Sequence, residues 1–203
     1  MNKPLILASA SPTRRRLLAA AGIEFVQQAA GLNENLIKQE FRSGGQGAAD
    51  CALALADAKA RAVAVRWPDA LVIGADQILH CAGKWFDKPA EIQEVRSQLQ
   101  SLRGLTHELV TAACVVEDRT RVWHTLSSAQ LSMRRFSDAF LDWYLMAEGP
   151  AVLGSVGAYR LEGRGIQLFD KIRGDYFAIL GLPLLELALF LRQPANARLV
   201  TGC

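Results

Sequence analysis

The chain is short of everything that would mark a metal-stapled, disulfide-stapled or membrane-bound protein. Its four cysteines, Cys51, Cys81, Cys114 and Cys203, form no C-x-x-C pair and show none of the spacings of zinc sites or disulfide frameworks. That pattern fits a reduced, cytoplasmic compartment. The three histidines, His80, His107 and His124, stand far apart without ligand spacing, so no histidine-based metal site is expected. Neither sign of charge dominates: 23 Lys and Arg against 20 Asp and Glu leave +3, too little to argue for a nucleic-acid partner. An interleaved basic and aromatic stripe is also missing. Long apolar runs are missing as well. The stretch ILGLPLLELALFL contains Pro183 and Glu186 and falls short of the ~18 residues needed to span a bilayer. The start MNKPLILASASP is interrupted by Pro4, and its apolar part is shorter than the ~7–15 residues of a signal-peptide core. No membrane association is expected, and no internal repeat, linker or low-complexity tract is visible.

What is present is 203 residues with 51% hydrophobic content, enough for a single domain over residues 1–203, or two lobes sharing a core. Leu5 to Ala8 reads as a short buried strand. A helix follows, with Ser11 as N-cap, Pro12 at its first position, Leu17, Leu18 and Ala21 on one face and Gly22 as its stop. Ala48 to Arg66 is alanine-rich and strongly helical, ending at Pro68. ALVIGAD reads as a fully buried strand with Asp76 just past its C-terminal end. Glu91 to Leu102 forms an amphipathic helix closed by Gly104. LVTAACVVE and RVWHTLSSAQLSM form a hairpin across Asp118-Arg119-Thr120. Ser137 caps a helix carrying Phe140, Leu141, Tyr144 and Leu145; a strand-like AYRLEG, a glycine-rich loop and a helix after Pro183 complete the chain. Helices between early strands and a later hairpin give an α/β fold with a mixed sheet rather than a simple doubly wound domain.

Four segments carry chemistry. LASASPTRRRLL gathers Ser9, Ser11, Arg14 and Arg15 at a helix start directly after a strand. There backbone N–H groups, hydroxyls and guanidinium forks favour a phosphate. A capped helix with a solvated basic first turn would use the same residues, but three consecutive arginines oppose the helix dipole and call for another justification. In GADQ, Asp76 beyond a strand can hold a divalent metal or orient water, or simply cap a turn. In DKPA, Lys88 precedes a proline that fixes the backbone and would aim the ammonium at a phosphate; alone it reads as a solvated loop lysine. Lys59 alone reads as a residue keeping an alanine-rich helix soluble. In GAYRLEGRG, Glu162 either reaches a ligand's edge or sits in a polar turn, and spacing favours the turn.

Taken in order, LASASPTRRRLL, the Asn33-Glu34 pair, the alanine-rich helix with Lys59, VIGADQ, DKP, LRGLTHELVT, GAYRLEGRGIQLF and IRGDYFAILGLPL resemble the Maf, or septum-formation, family over nearly the whole chain. The resemblance implies a two-lobed α/β fold with a mixed β-sheet, flanking helices and a central cleft, similar to that of inosine triphosphate pyrophosphatases. It implies hydrolysis of a nucleoside triphosphate between the α and β phosphates with Mg²⁺ or Mn²⁺, and often a homodimer. By the same resemblance Ser9, Arg14, Lys59 and Lys88 would hold the triphosphate. Glu34 and Asp76 would serve the metal, with Asp76 taken as the catalytic base. A carboxylate with an ordinary pKa near ~3.9 is a poor base unaided, which favours metal-assisted hydrolysis. Three positions separate the family's branches. Arg, Thr and Gln mark enzymes acting on uridine and thymidine triphosphates; Trp, Gln and Glu mark those resembling 7-methylguanosine triphosphate pyrophosphatases. Here they are Thr13, Gln77 and Glu162, so two of three favour 7-methyl-GTP or another modified nucleotide. A carboxylate at Glu162 suits guanine, whose N1–H and exocyclic amine both donate. Thr13 departs from the pattern, since it cannot stack on a base. A pyrophosphatase for dTTP and UTP is the alternative, and a non-catalytic nucleotide-binding regulator of cell division is the third reading.

Overall fold

The computed structural model describes residues 3–193; Cys203 lies outside them. In chain order the elements are β1 (Leu5–Leu7), α1 (Pro12–Ala20), β2 (Val26–Gln27), α2 (Glu34–Ser43), α3 (Ala48–Ala64), β3 (Leu71–Cys81), β4 (Lys84–Phe86), α4 (Ile92–Leu102), β5 (Thr106–Glu117), β6 (Thr120–Met133), α5 (Asp138–Glu148), β7 (Phe169–Arg173), α6 (Tyr176–Ile179) and α7 (Leu184–Leu191), with three short 3-10 segments between α5 and β7. The strands form a mixed sheet in the order β2-β1-β3-β5-β6-β7, with β4 paired to β3. This is the expected α/β class. The residues fall into two compact units. One comprises the chain up to Asp76, Thr111–Ser127 and the segment from Tyr176 onward; the other comprises Gln77–Val110 and Ser128–Asp175.

In the first unit β1 lies between β2 and β3, parallel to both. Its three residues are fully buried, as a strand covered on both faces requires. The core gathers Leu5 and Leu7 of β1, Leu18 of α1, Leu71 and Ile73 of β3, Val115 of β5 and Leu187 and Phe190 of α7. Burying each such side chain contributes about 1.5–3 kcal/mol. Gly74 sets how closely α3 approaches the sheet. A Cβ built there would lie 2.0 Å from the Ala56 carbonyl oxygen and 3.0 Å from the Ala60 Cβ, so only glycine admits the alanine-lined face of α3 at this distance.

The second unit shows where the sequence reading needs correcting. Asp76 is not past the end of its strand: β3 continues to Cys81, because Ile78 and Leu79 resume the buried pattern after the polar pair. The strand then turns back through Ala82 (φ 48°) and Gly83 (φ 78°) to pair antiparallel with β4, Leu79 opposite Phe86, a two-residue turn of the left-handed kind that hairpins prefer. AYRLEG is not a strand. Residues 161–163 form a turn between 3-10 segments, and the expected glycine-rich loop is instead the 3-10 segment Arg164–Leu168 running directly into β7, which pairs with β6. The β5–β6 hairpin forms as expected, with Asp118 (φ 47°) and Arg119 (φ 62°) at its tip.

His107 of β5 is 1% exposed. Its Nε2 lies 2.8 Å from the Tyr159 hydroxyl, and its ring packs against Phe169. Burial, reinforced by His80, pushes its pKa down from 6.5 to about 4. The unfolded chain therefore takes a proton that the folded one refuses, and below the unfolded pKa the unfolded state binds more protons. Stability is full above pH 6.5 and falls as pH drops towards about 4, by about 3 kcal/mol over the window. Urea midpoints measured against pH check this: His107→Gln, which keeps a partner for Tyr159, is expected to flatten the dependence over that window.

Candidate active site

The site is assembled where α1 begins beside β3. Parallel pairing runs from Leu5 opposite Leu71 to Leu7 opposite Ile73, and the Ala8 N–H donates to the Ile73 carbonyl at 2.8 Å. The chain then turns, the Ser9 N–H donating to the Leu7 carbonyl at 2.9 Å, and enters α1 with Arg14 close enough for the charge of Asp76 to act on it. On the opposite side the Gln27 side chain donates to the Ser9 carbonyl at 2.8 Å. The Ser9 hydroxyl accepts from the Ser11 N–H and from the Arg14 Nη1, each at 3.2 Å. Ser11 is the helix N-cap, its Oγ accepting from the Arg14 N–H at 3.3 Å. Arg14 is thus fixed from both ends, because its Nε donates to the Gly181 carbonyl at 2.7 Å. Burial lowers the Arg14 pKa, while the charges of Asp76 and Glu34 act to raise it; a guanidinium remains a cation throughout this range.

Lys59 is not a solvated helix lysine. At 7% exposure, its Nζ lies 2.5 Å from Asp76 Oδ1 and 2.9 Å from Glu34 Oε1. Three elements meet at that ammonium: α3 supplies the lysine, β3 the buried aspartate, and the first residue of α2 the glutamate, which also complements the helix dipole. The close packing at Gly74 lets Lys59, one turn beyond Ala56, reach Asp76, two residues beyond Gly74 on the strand. Asp76 Oδ2 is buried and has no hydrogen-bond partner among the described residues. A buried carboxylate oxygen left so is costly unless a ligand completes it.

The donor set fits a hard divalent cation. Two carboxylates stand on a common cation, one with an orphaned oxygen, and Mg²⁺ characteristically takes one or two protein carboxylates and completes its shell with phosphate oxygens and water. Among the described residues no group of three or more His, Cys, Asp or Glu could hold a metal ion.

Of the sequence-designated residues, Ser9, Arg14, Glu34, Lys59 and Asp76 come together in the first unit, with Ser11 as the cap that organises them. Thr13 Oγ1 accepts from Arg16 Nη2 at 3.3 Å, and Arg15 is exposed on α1. The other three belong to the second unit: Gln77 is half-buried on β3, Lys88 is exposed in the segment after β4, and Glu162 lies in the 161–163 turn. Sequence reasoning missed Gln27, Gly74 and Gly181. A glycine inside the buried run VIGAD was a readable sign of close backbone approach. Nothing local marks Gly181 as the acceptor for Arg14, a contact between residues 167 positions apart.

Known proteins resemble the chain over almost its whole length. The family model for Maf-like proteins matches residues 4–194. The chain is 52% identical over 189 residues to a nucleoside triphosphate pyrophosphatase of Granulibacter bethesdensis, covering 93% of this chain and 96% of the relative. It is 50% identical over 195 residues to a protein of the same name from Paramagnetospirillum magneticum, covering 96% and 100%. A 7-methyl-GTP pyrophosphatase of Rhizobium meliloti is 47% identical over 193 residues, covering 95% and 97%.

Proposed function

The chain belongs to the Maf-like protein family, and on that footing we propose that it hydrolyses nucleoside triphosphates between the α and β phosphates, releasing a nucleoside monophosphate and pyrophosphate. The observation that carries this reading is the buried Lys59 ammonium bridging Asp76 and Glu34. A helix that only needed solubility would have no reason to bury a lysine against two carboxylates beside an arginine held by Ser9 and Gly181.

Arg14 and Lys59 supply positive charge for the triphosphate, with the Ser9 hydroxyl as a further polar contact. Arg14 meets oxygens with a rigid fork, and its bonds to Ser9 and Gly181 fix that fork in advance, so little order is lost on binding. The resemblance to the family assigns Lys88 of the second unit to the phosphates as well. Glu34 and Asp76 hold Mg²⁺ or Mn²⁺, which when bound supplies charge neutralisation and Lewis-acid polarisation of the phosphoryl oxygens. Asp76 presents Oδ2, the oxygen not engaged by Lys59, to the attacking water, orienting it and accepting its proton as it closes on the α-phosphorus in line with the departing pyrophosphate. Lys59 keeps Asp76 and Glu34 together and balances their charge before substrate arrives.

For the base, Glu162 and Gln77 favour guanine-type substrates, 7-methyl-GTP or another modified nucleotide, and the name of the Rhizobium meliloti relative points the same way. Cytoplasmic location, in keeping with cysteines that show no disulfide spacing, and a homodimer, which the family resemblance implies, complete the proposal. A panel of GTP, 7-methyl-GTP, UTP and dTTP scored by pyrophosphate release tests the reading. The expected result is release that requires Mg²⁺ or Mn²⁺, stops with EDTA and is fastest on the guanine nucleotides. Preference for UTP or dTTP would overturn the base assignment, and no pyrophosphate from any of them would overturn the activity.

A further inference from the structure

In the second unit Glu162 belongs to a charged cluster whose other members, Glu148, Arg160 and Arg164, have no role in the account above. Glu148, the last residue of α5, has a side chain only 3% exposed. Its Oε2 accepts from Arg160 Nη1 at 3.4 Å, and its Oε1 accepts from the Arg164 backbone N–H at 3.2 Å and pairs with Arg164 Nη1 at 3.5 Å. Arg160 carries a second carboxylate: its Nε lies 3.6 Å from Glu162 Oε1. One guanidinium therefore spans a buried glutamate and the glutamate assigned to the base.

The backbone around them is equally constrained. The Gly163 N–H donates to the Arg160 carbonyl at 3.1 Å, and a Cβ on Gly165 would lie 2.4 Å from that same oxygen, so residues 160–165 fold back tightly on themselves. Glu148 grips this turn on both sides of Glu162, through the Arg160 side chain before it and the Arg164 amide after it. A buried ion pair is a poor source of stability, since desolvating the charges offsets their attraction and well-packed apolar residues do as well or better. What such a cluster supplies is fixed geometry. An arginine suits the task because its rigid planar fork addresses two carboxylates with different nitrogens at fixed angles, where an ammonium sets no such angles.

We propose that Arg160, anchored by Glu148, is a specificity-determining positioning residue that holds the Glu162 carboxylate in the orientation needed to accept two hydrogen bonds from a guanine-type base edge. The inference rests on Glu162 facing the base. Arg160 does not touch the nucleotide; it acts by limiting where the Glu162 oxygens point. A carboxylate free to rotate loses the preference for two donors side by side over one.

The test compares kcat/KM for GTP and ITP, which share the triphosphate and differ by the exocyclic amine, in the wild type and in Glu162→Gln, Arg160→Ala, Arg160→Lys and Glu148→Gln, each checked for folding by circular dichroism. A general loss of structure lowers both rates and leaves their ratio alone. The wild type is expected to favour GTP by about tenfold or more, as one hydrogen bond to a charged group allows. Arg160→Ala and Glu148→Gln are expected to bring the ratio close to one, chiefly through KM for GTP, and Arg160→Lys to recover it only in part. If Glu162→Gln lowers the ratio while both Arg160 variants and Glu148→Gln keep the wild-type value, the positioning role is wrong and the base reading survives. If the wild type does not distinguish GTP from ITP, or Glu162→Gln leaves the ratio unchanged, the base reading itself fails and the inference with it. Should Arg160→Ala not fold, Arg160→Lys and Glu148→Gln decide by the same ratio.

Discussion

Asp76→Asn is expected to lower pyrophosphate release by about 10³-fold, within the range contributed by a positioned general base, while the chain keeps its fold. The substitution preserves shape and leaves Oδ1 able to accept from Lys59 at its present 2.5 Å. It replaces the orphaned Oδ2 by an amide nitrogen that can neither take a proton from water nor bind a cation. Lys59 loses one of its two anionic partners, so stability falls by about 1–3 kcal/mol, the cost of weakening a charged hydrogen bond at a buried site. Steady-state pyrophosphate assays beside a denaturation curve separate the two effects. Activity within about tenfold of wild type would remove Asp76 from the chemistry.

Gly74→Ala is expected to damage the protein from a distance. The added methyl would sit 2.0 Å from the Ala56 oxygen and 2.9 Å from the Ala56 carbonyl carbon. The obstruction is therefore backbone, which cannot rotate away as a side chain could. Relief requires α3 to lift from β3, at a cost of about 3 kcal/mol or more. Lys59 rides on that helix and Asp76 on that strand, so the 2.5 Å pair opens with it. Loss of stability and of activity should appear together in Gly74→Ala, measured by urea denaturation and pyrophosphate release, whereas Asp76→Asn loses activity far more than stability. Wild-type behaviour on both counts would mean that the helix does not pack on the strand at this position.

These two residues also show what a sequence discloses. The strand, N-cap, proline and arginines of LASASPTRRR predict β1 and the start of α1 because every signal there is local: Ser11 caps, Pro12 begins and Arg14 follows. The hairpin at Asp118 and Arg119 is legible for the same reason. Asp76 was misplaced because a polar pair inside an apolar run looks like a strand end; only pairing with β4, through an Ala-Gly turn that carries no strong signal, shows that the strand goes on. β2, β4, β7 and α6 are only two to five residues long, and tertiary pairing decides them. The role of Lys59 was invisible to periodicity. An alanine-rich helix is compatible with a lysine facing water, and only the glycine opposite, which draws the helix close, turns that lysine inward. The resemblance to a family named Lys59, Glu34 and Asp76 together; the packing at Gly74 gives the physical reason that they meet.

The most direct measurement is the hydrolysis of GTP in water enriched in ¹⁸O, with the label located by mass spectrometry in the separated products. Attack on the α-phosphorus beside Asp76 puts one ¹⁸O in the guanosine monophosphate and none in the pyrophosphate. Label in the pyrophosphate, or release of orthophosphate in its place, would contradict hydrolysis at the α-phosphorus.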